Sequence, residues 1–221
     1  MGKLLVIKGA DFRANSLNVS VVDGTPNYVL SPGIGGGRFE LNNEGFCLLP
    51  TIMSPIGGQF ALGTYGTENH DITRIKACWN VEESGITSFQ QLFCYFTDAT
   101  EIDCNSLKPV GITDFAHAFN SCEKVTRIDI SNWDSNEQNA SVAYMFSYCF
   151  LLQWVDLGKI IIPSSTTSVF VGCVALQKVR THRTETENLN AIRTVLNAAS
   201  AGGSTNWVQG VDSDGCIMFT H

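Results

Sequence analysis

Ile112-Thr-Asp-Phe115-Ala-His-Ala-Phe119-Asn-Ser-Cys122-Glu-Lys-Val125-Thr-Arg-Ile128-Asp-Ile130 is the clearest copy of a pattern written five times between Ile72 and Thr181. The next copy keeps the frame with Phe146, Cys149, Leu152, Val155 and Leu157, and a later one with Phe170, Cys173, Leu176, Val179 and Thr181. An earlier copy has Phe93, Phe96, Ala99, Ile102 and Cys104, and a degenerate first one reads Ile72-Thr-Arg-Ile75-Lys-Ala77. With Ile75, Ile102, Ile128, Val155 and Val179 taken as equivalent, the steps are 27, 26, 27 and 24 residues. A period in this range predicts a solenoid, because one such unit can bury its apolar face only against its neighbours.

Two halves with different periods make up each copy. Ile112, Phe115 and Phe119 stand at i, i+3 and i+7, as do Ile86, Phe89 and Phe93, a spacing that predicts a short helix. Val125, Ile128 and Ile130 follow in an L-x-x-L-x-L spacing that predicts a short strand. Alternation along that strand turns Ile128 and Ile130 inward and Arg127 and Asp129 to solvent. Stacked copies predict an α/β fold: a short right-handed leucine-rich-repeat solenoid of about five rungs, with a parallel sheet on one side and short helices on the other.

Met145-Phe146, Gly172-Cys173 and Ile128-Asp-Ile-Ser-Asn-Trp133-Asp134 carry a family resemblance. They are similar to the BspA-type leucine-rich repeats of bacterial surface proteins, of the kind found in gut Bacteroides-like bacteria or their phages. The resemblance covers about half the chain. It implies an adhesive or recognition surface rather than catalysis. The chain departs from the family in having few repeats and no secretory signal. The opening Ile7-Lys-Gly-Ala-Asp-Phe-Arg-Ala-Asn-Ser16 also resembles structural or tail-associated proteins of gut bacteria and their phages.

The rest of the chain frames this stretch. Residues 1–68 read as a β-rich segment, with strands expected at Leu4–Ile7, Leu17–Val22, Tyr28–Leu30, Arg38–Leu41, Phe46–Leu49 and Phe60–Leu62. Residues 69–183 are the solenoid and 184–221 its cap. In the cap, Leu189, Ile192, Leu196 and Ala199 make an amphipathic helix over 188–200, stopped by Gly202-Gly203. Trp207-Val208 and Cys216–Phe219 then form a hairpin around Asp212–Gly215.

Composition narrows the functional classes. A net charge of −7, with no basic stretch to offset it, argues against a nucleic-acid partner. Charged residues are only 16%, which suits a chain packed in a homo-oligomer or larger assembly as well as one with an ordinary acidic surface. No run approaches a membrane span, and Met1–Lys8 is too short for a signal-peptide core. That leaves a cytoplasmic or virion-associated protein as written, or a cell-surface one if a signal was removed. Cys122, Cys149 and Cys173 share one column whose earlier member is Phe96, so the column needs an apolar filler rather than a bond; the thiols are expected to be mostly reduced.

Catalytic and cofactor motifs find little support. The glycine run 33–37 is followed by a strand-like segment instead of the helix a phosphate cradle needs. Asp212-x-Asp214-Gly215 begins like a calcium loop, but Ile217 and Phe219 break its oxygen ligands. His70, His117, His182 and His221 share no metal-ligand spacing, and His117 is expected to face solvent. Neither a cofactor nor a metal is expected. The outward columns of the sheet read Arg74, Glu101, Arg127, Trp154, Lys178 and Lys76, Asp103, Asp129, Asp156, Arg180. One reading is charge satisfaction between strands. The other is a recognition face, with Trp154 as its anchor beside Arg127, Asp129 and Asp156. These four residues are the candidate ligand-binding site of a non-catalytic module for a protein or surface glycan. A structural subunit of a phage tail or surface appendage is the first alternative, and a carbohydrate-active enzyme the second.

Overall fold

The computed structural model describes residues 3–9, 17–22, 29–30, 39–40 and 46–48 as strands of backbone. It further describes 61, 63, 65–66, 68, 70, 72–78, 87–109, 111–135, 140–166, 168–199, 201–203 and 205–221. The architecture is α/β: a mainly parallel sheet with one α-helix among the described residues. In chain order the strands are β1 (Lys3–Gly9), β2 (Leu17–Val22), β3 (Val29–Leu30), β4 (Phe39–Glu40), β5 (Phe46–Leu48) and β6 (Ile72–Cys78). Next come β7 (Glu101–Asp103), β8 (Arg127–Asp129), β9 (Trp154–Asp156), β10 (Lys178–Thr181), β11 (Val208–Val211) and β12 (Ile217–Thr220), with α1 (Thr186–Ala198) between β10 and β11.

One sheet joins the three expected segments. Its order is β11-β12-β10-β9-β8-β7-β6-β1-β2-β5, while β3 and β4 pair separately. Strands β1, β6, β7, β8, β9 and β10 run parallel, and the antiparallel pairs lie at the two ends. The register follows the sequence period: Ile75 pairs with Ile102, Ile102 with Ile128, Ile128 with Val155, and Val155 with Val179. All five side chains are buried. Expected strands at Leu4–Ile7, Leu17–Val22, Tyr28–Leu30, Arg38–Leu41 and Phe46–Leu49 coincide with β1 to β5 within two residues. The glycine run 33–37 and most of the expected Phe60–Leu62 strand lie outside the described residues.

Behind the sheet, equivalent aromatic residues stack copy on copy. The Phe93 and Phe119 rings are 5.7 Å apart, Phe119 and Phe146 5.3 Å, and Phe146 and Phe170 5.4 Å, the last two pairs nearly parallel. Trp133, the aromatic residue of the Asn132-Trp133-Asp134 motif, is fully buried against Phe89, Phe115 and Phe119, and its indole N–H donates to the Cys104 carbonyl at 3.2 Å. Burying each such ring contributes about 1.5–3 kcal/mol, and each aromatic pair about 0.5–1.5 kcal/mol more. The cysteine column fills the next layer. Cys122, Cys149 and Cys173 are free and buried, and their thiols donate to the carbonyls of Phe93, Phe119 and Phe146 one copy back, at 3.1, 3.1 and 3.0 Å. Burial pushes the Cys149 and Cys173 thiols well above the usual thiol range.

The short helices expected in each copy do not form. Residues 90–95, 116–121 and 143–148 are strings of turns, in which Gln91, Tyr95, His117, Ser121, Tyr144 and Tyr148 take φ between 56 and 61°. Alternate amides reach across to the next copy instead of back along their own. Phe115, His117, Phe119 and Ser121 donate to the carbonyls of Ser141, Ala143, Met145 and Ser147 at 2.7–2.9 Å. Phe89, Gln91, Phe93 and Tyr95 do the same to Asp114, Ala116, Ala118 and Asn120. A helix needs those amides for its own carbonyls four residues back, so the two arrangements exclude each other. The apolar spacing is served by both, since successive three-residue turns also bring every third or fourth side chain inward.

At the far end α1 packs Leu189, Ala191, Ile192, Val195 and Leu196 onto the core, two residues earlier at each end than its sequence signal. Gly202 has φ 64°, and a Cβ there would collide with the Leu176 carbonyl, which is why a glycine closes this helix. The β11–β12 hairpin follows as expected, with β12 pairing to β10.

Candidate recognition site

Three of the four expected site residues meet on the outer face of the sheet. Register places Trp154 directly beside Arg127, and Asp129 beside Asp156. The Arg127 guanidinium carbon lies 3.7 Å from the Trp154 ring centre, and its Nη2 donates to Asp129 Oδ2 at 3.2 Å. Burial works to raise the Asp129 pKa, but the Ser131 hydroxyl and amide and the Arg127 charge outweigh it and hold the carboxyl below its ordinary range. Beside this cluster, between β7 and β8, is a shallow depression of about 310 Å³, lined among others by the exposed Glu101 and Asp103 and by Arg127 and Asp129.

Asp156 departs from the outward position expected for it. Its side chain is only 1% exposed. The Gly158 amide donates to Oδ1 at 2.9 Å; Arg180 Nη1 and His182 Nε2 lie 3.0 and 3.2 Å from Oδ2. Arg180 continues outward, donating from Nε to Asp212 at 2.6 Å and from Nη2 to Asp214 at 2.8 Å. The two carboxylates of the calcium-like motif are thus taken up in clamping the β11–β12 turn to β10. These partners raise the Arg180 pKa further, against the lowering effect of burial. Buried charges hold their place only when paired this closely. Asp156 therefore holds the hairpin through Arg180 and is not part of the exposed face of the sheet.

His117 also departs from its expected solvent-facing place. It is half-buried, stacked on Tyr144 with ring centres 5.1 Å apart and edge-on to Tyr65 at the same distance. Its Nδ1 is buried without a hydrogen-bond partner, and burial, partly opposed by Asp114, lowers its pKa. Tyr65 and Tyr144 beside it are exposed, as are Tyr148, Phe150, Leu151 and Val174 of the later copies. Sequence reasoning missed this strip, although its signal was present: Gln91, His117 and Tyr144 share one column of the period, and Tyr95, Ser121 and Tyr148 the next. The other histidines are dispersed, His70 beside Glu68 and His221 against the Leu176 carbonyl.

Comparison of the chain with protein-family models, with curated proteins and with solved structures finds no match. Among the described residues, no helix is long and apolar enough to cross a membrane.

Proposed function

We propose that the chain is a small leucine-rich-repeat solenoid of the BspA type that works as a non-catalytic recognition module, binding a protein partner through the sheet face around Arg127, Asp129 and Trp154. The observation that carries this reading is the guanidinium of Arg127 lying over the Trp154 ring at 3.7 Å while bonded to Asp129. A half-buried Trp beside an exposed Arg is the composition that dominates protein interfaces. Arg127 takes up one face of the Trp154 ring that a sugar would otherwise stack on, which turns the choice between glycan and protein toward protein. Glu101 and Asp103 beside the pair call for at least one cation on the partner.

The test is binding of the full chain to surface proteins of candidate host cells, compared with Trp154→Ala. The reading expects binding that protease treatment of the cells removes, and a variant that loses it at an unchanged unfolding temperature. Unchanged binding by the variant overturns the site. A second reading, a structural subunit of a phage tail or other appendage, draws on the strip at Tyr65, Tyr144, Tyr148, Phe150 and Leu151, which a neighbouring subunit would cover. A trimer or larger ring in light scattering would favour it.

A further inference from the structure

The turn side carries an aromatic spacing that the sheet face lacks. One column of the period there reads Tyr95, Ser121, Tyr148 and Gly172, a ring and a small residue in alternation. Each small residue gives the preceding ring a place to lie. Tyr95 meets the side chain of Ser121 one copy on, and Tyr148 lies against Gly172, where an added Cβ would come within 2.9 Å of its ring. Tyr148 is nonetheless 43% exposed, and Tyr95 half-buried. Inter-copy hydrogen bonds set the distance between them. The amides of Tyr95 and Ser121 donate to the carbonyls of Asn120 and Ser147, both at 2.8 Å, so each step has the spacing of hydrogen-bonded strands, about 4.7–4.9 Å. Two steps place the Tyr95 and Tyr148 backbones about 9.4–9.8 Å apart. A polyproline II helix rises about 3.1 Å per residue with three residues per turn, a repeat of ~9.3 Å. Prolines at i and i+3 of such a helix therefore match rings two copies apart.

The surroundings narrow the occupant. His117 and Tyr144 form a second row beside the first, with ring centres 5.1 Å apart, and Tyr65 stands against both Tyr95 and His117. Aromatic surfaces of this kind take pyrrolidine rings, while phenol hydroxyls reach the carbonyls that a polyproline backbone leaves without internal partners. Beyond Tyr148 the strip continues with Phe150, Leu151 and Val174, which offer no partner to the hydroxyls of a sugar. Glu123 stands one copy before Phe150 in its column and is in no ion pair among the described residues, so a cation on the occupant would complement it. The six prolines of these 221 residues, at 26, 32, 50, 55, 109 and 163, include no two that stand three apart, so a second copy does not supply the motif. We propose that the tyrosine strip binds a proline-rich segment of another protein in the polyproline II conformation. Prolines three apart lie on Tyr95 and Tyr148, and a flanking lysine or arginine faces Glu123. This site is separate from the sheet face around Arg127 and Trp154 and does not rest on its reading.

The test is a titration of the full isotopically labelled chain, followed by amide shifts, with a synthetic peptide carrying Lys-x-x-Pro-x-x-Pro. A peptide with the second proline moved by one position and an oligosaccharide of β-linked glucose serve as controls. Saturable shifts at Tyr95, Ser121 and Tyr148 are expected with the first peptide, at an affinity at least about fivefold above that of the shifted one. Tyr148→Ala should weaken binding about tenfold and Glu123→Gln about threefold, while Trp154→Ala leaves it unchanged. Equal affinity for the two peptides overturns the proposal, and that comparison uses the unaltered chain, so it holds even where Tyr148→Ala fails to fold. Absence of binding by either peptide overturns it too, as does binding of the oligosaccharide alone or full affinity in both Tyr148→Ala and Glu123→Gln. An oligomer in light scattering that Tyr148→Ala dissociates also overturns it, since a second copy then covers the strip.

Discussion

The two sides of each copy reach the same stacking by different backbone geometry. On the strand side, β6 to β10 pair in register, so residues alternate between core and solvent. On the turn side, amides at alternate positions also bond to the next copy, but through left-handed residues in strings of turns. The strand side therefore exposes residues spaced by two, such as Arg127 and Asp129. The turn side exposes aromatics spaced by four, Tyr144 and Tyr148, on the residues whose φ is positive. Inter-copy hydrogen bonding, rather than a particular secondary structure, is what the period of about 26 residues encodes.

Breaking the layer shared by both sides should have the largest effect. Phe146 stacks between Phe119 and Phe170 and is fully buried. Phe146→Ala should cost about 3–5 kcal/mol in denaturant unfolding, with protection lost on the strand side and the turn side together. Next comes a contrast within the sheet. Asp156→Ala removes the buried partner of Arg180 and should destabilise by about 3 kcal/mol. Asp129→Ala removes the partly exposed partner of Arg127 and the acceptor of the Ser131 amide, and should cost about 1 kcal/mol. Equal effects would mean that the two carboxylates share one environment after all.

On the turn side, Gly172 occupies the column of Tyr95, Ser121 and Tyr148 with φ 80°, and a Cβ there would press on Tyr148. Gly172→Ala should cost about 1–2 kcal/mol, since the left-handed conformation penalises a side chain even without the contact. A stabilising alanine would argue for a helix there. The smallest effect is one of pH. Burial lowers the His117 pKa in the folded chain, so the unfolded chain takes up its proton at higher pH. Its contribution is present above the ordinary histidine value and is lost as pH falls through it. His117→Phe, measured by thermal unfolding from neutral pH to about pH 5, should flatten part of that decline.

Much of the strand side was legible in the sequence. Ile128 and Ile130 against Arg127 and Asp129 gave its alternation, and the spacing of Ile75, Ile102, Ile128, Val155 and Val179 gave its register. The turn side was misread because Ile112, Phe115 and Phe119 satisfy helical and turn spacing alike; the destination of an amide proton leaves no mark in side-chain pattern. Asp156 was misplaced for a related reason. Alternation gave its face correctly, but Arg180, Asp212 and Asp214 close over that face from a hairpin that alternation within β9 cannot foresee.

Amide hydrogen exchange resolved at Phe115, His117, Phe119 and Ser121 tests the stacking of copies most directly. Each of these amides donates to the following copy, so slow exchange is expected at all four, lost together in Phe146→Ala. Fast exchange at Phe115 and His117 beside slow exchange at Phe119 and Ser121 would be the signature of a free-standing short helix, whose first amides lack partners, and would contradict it.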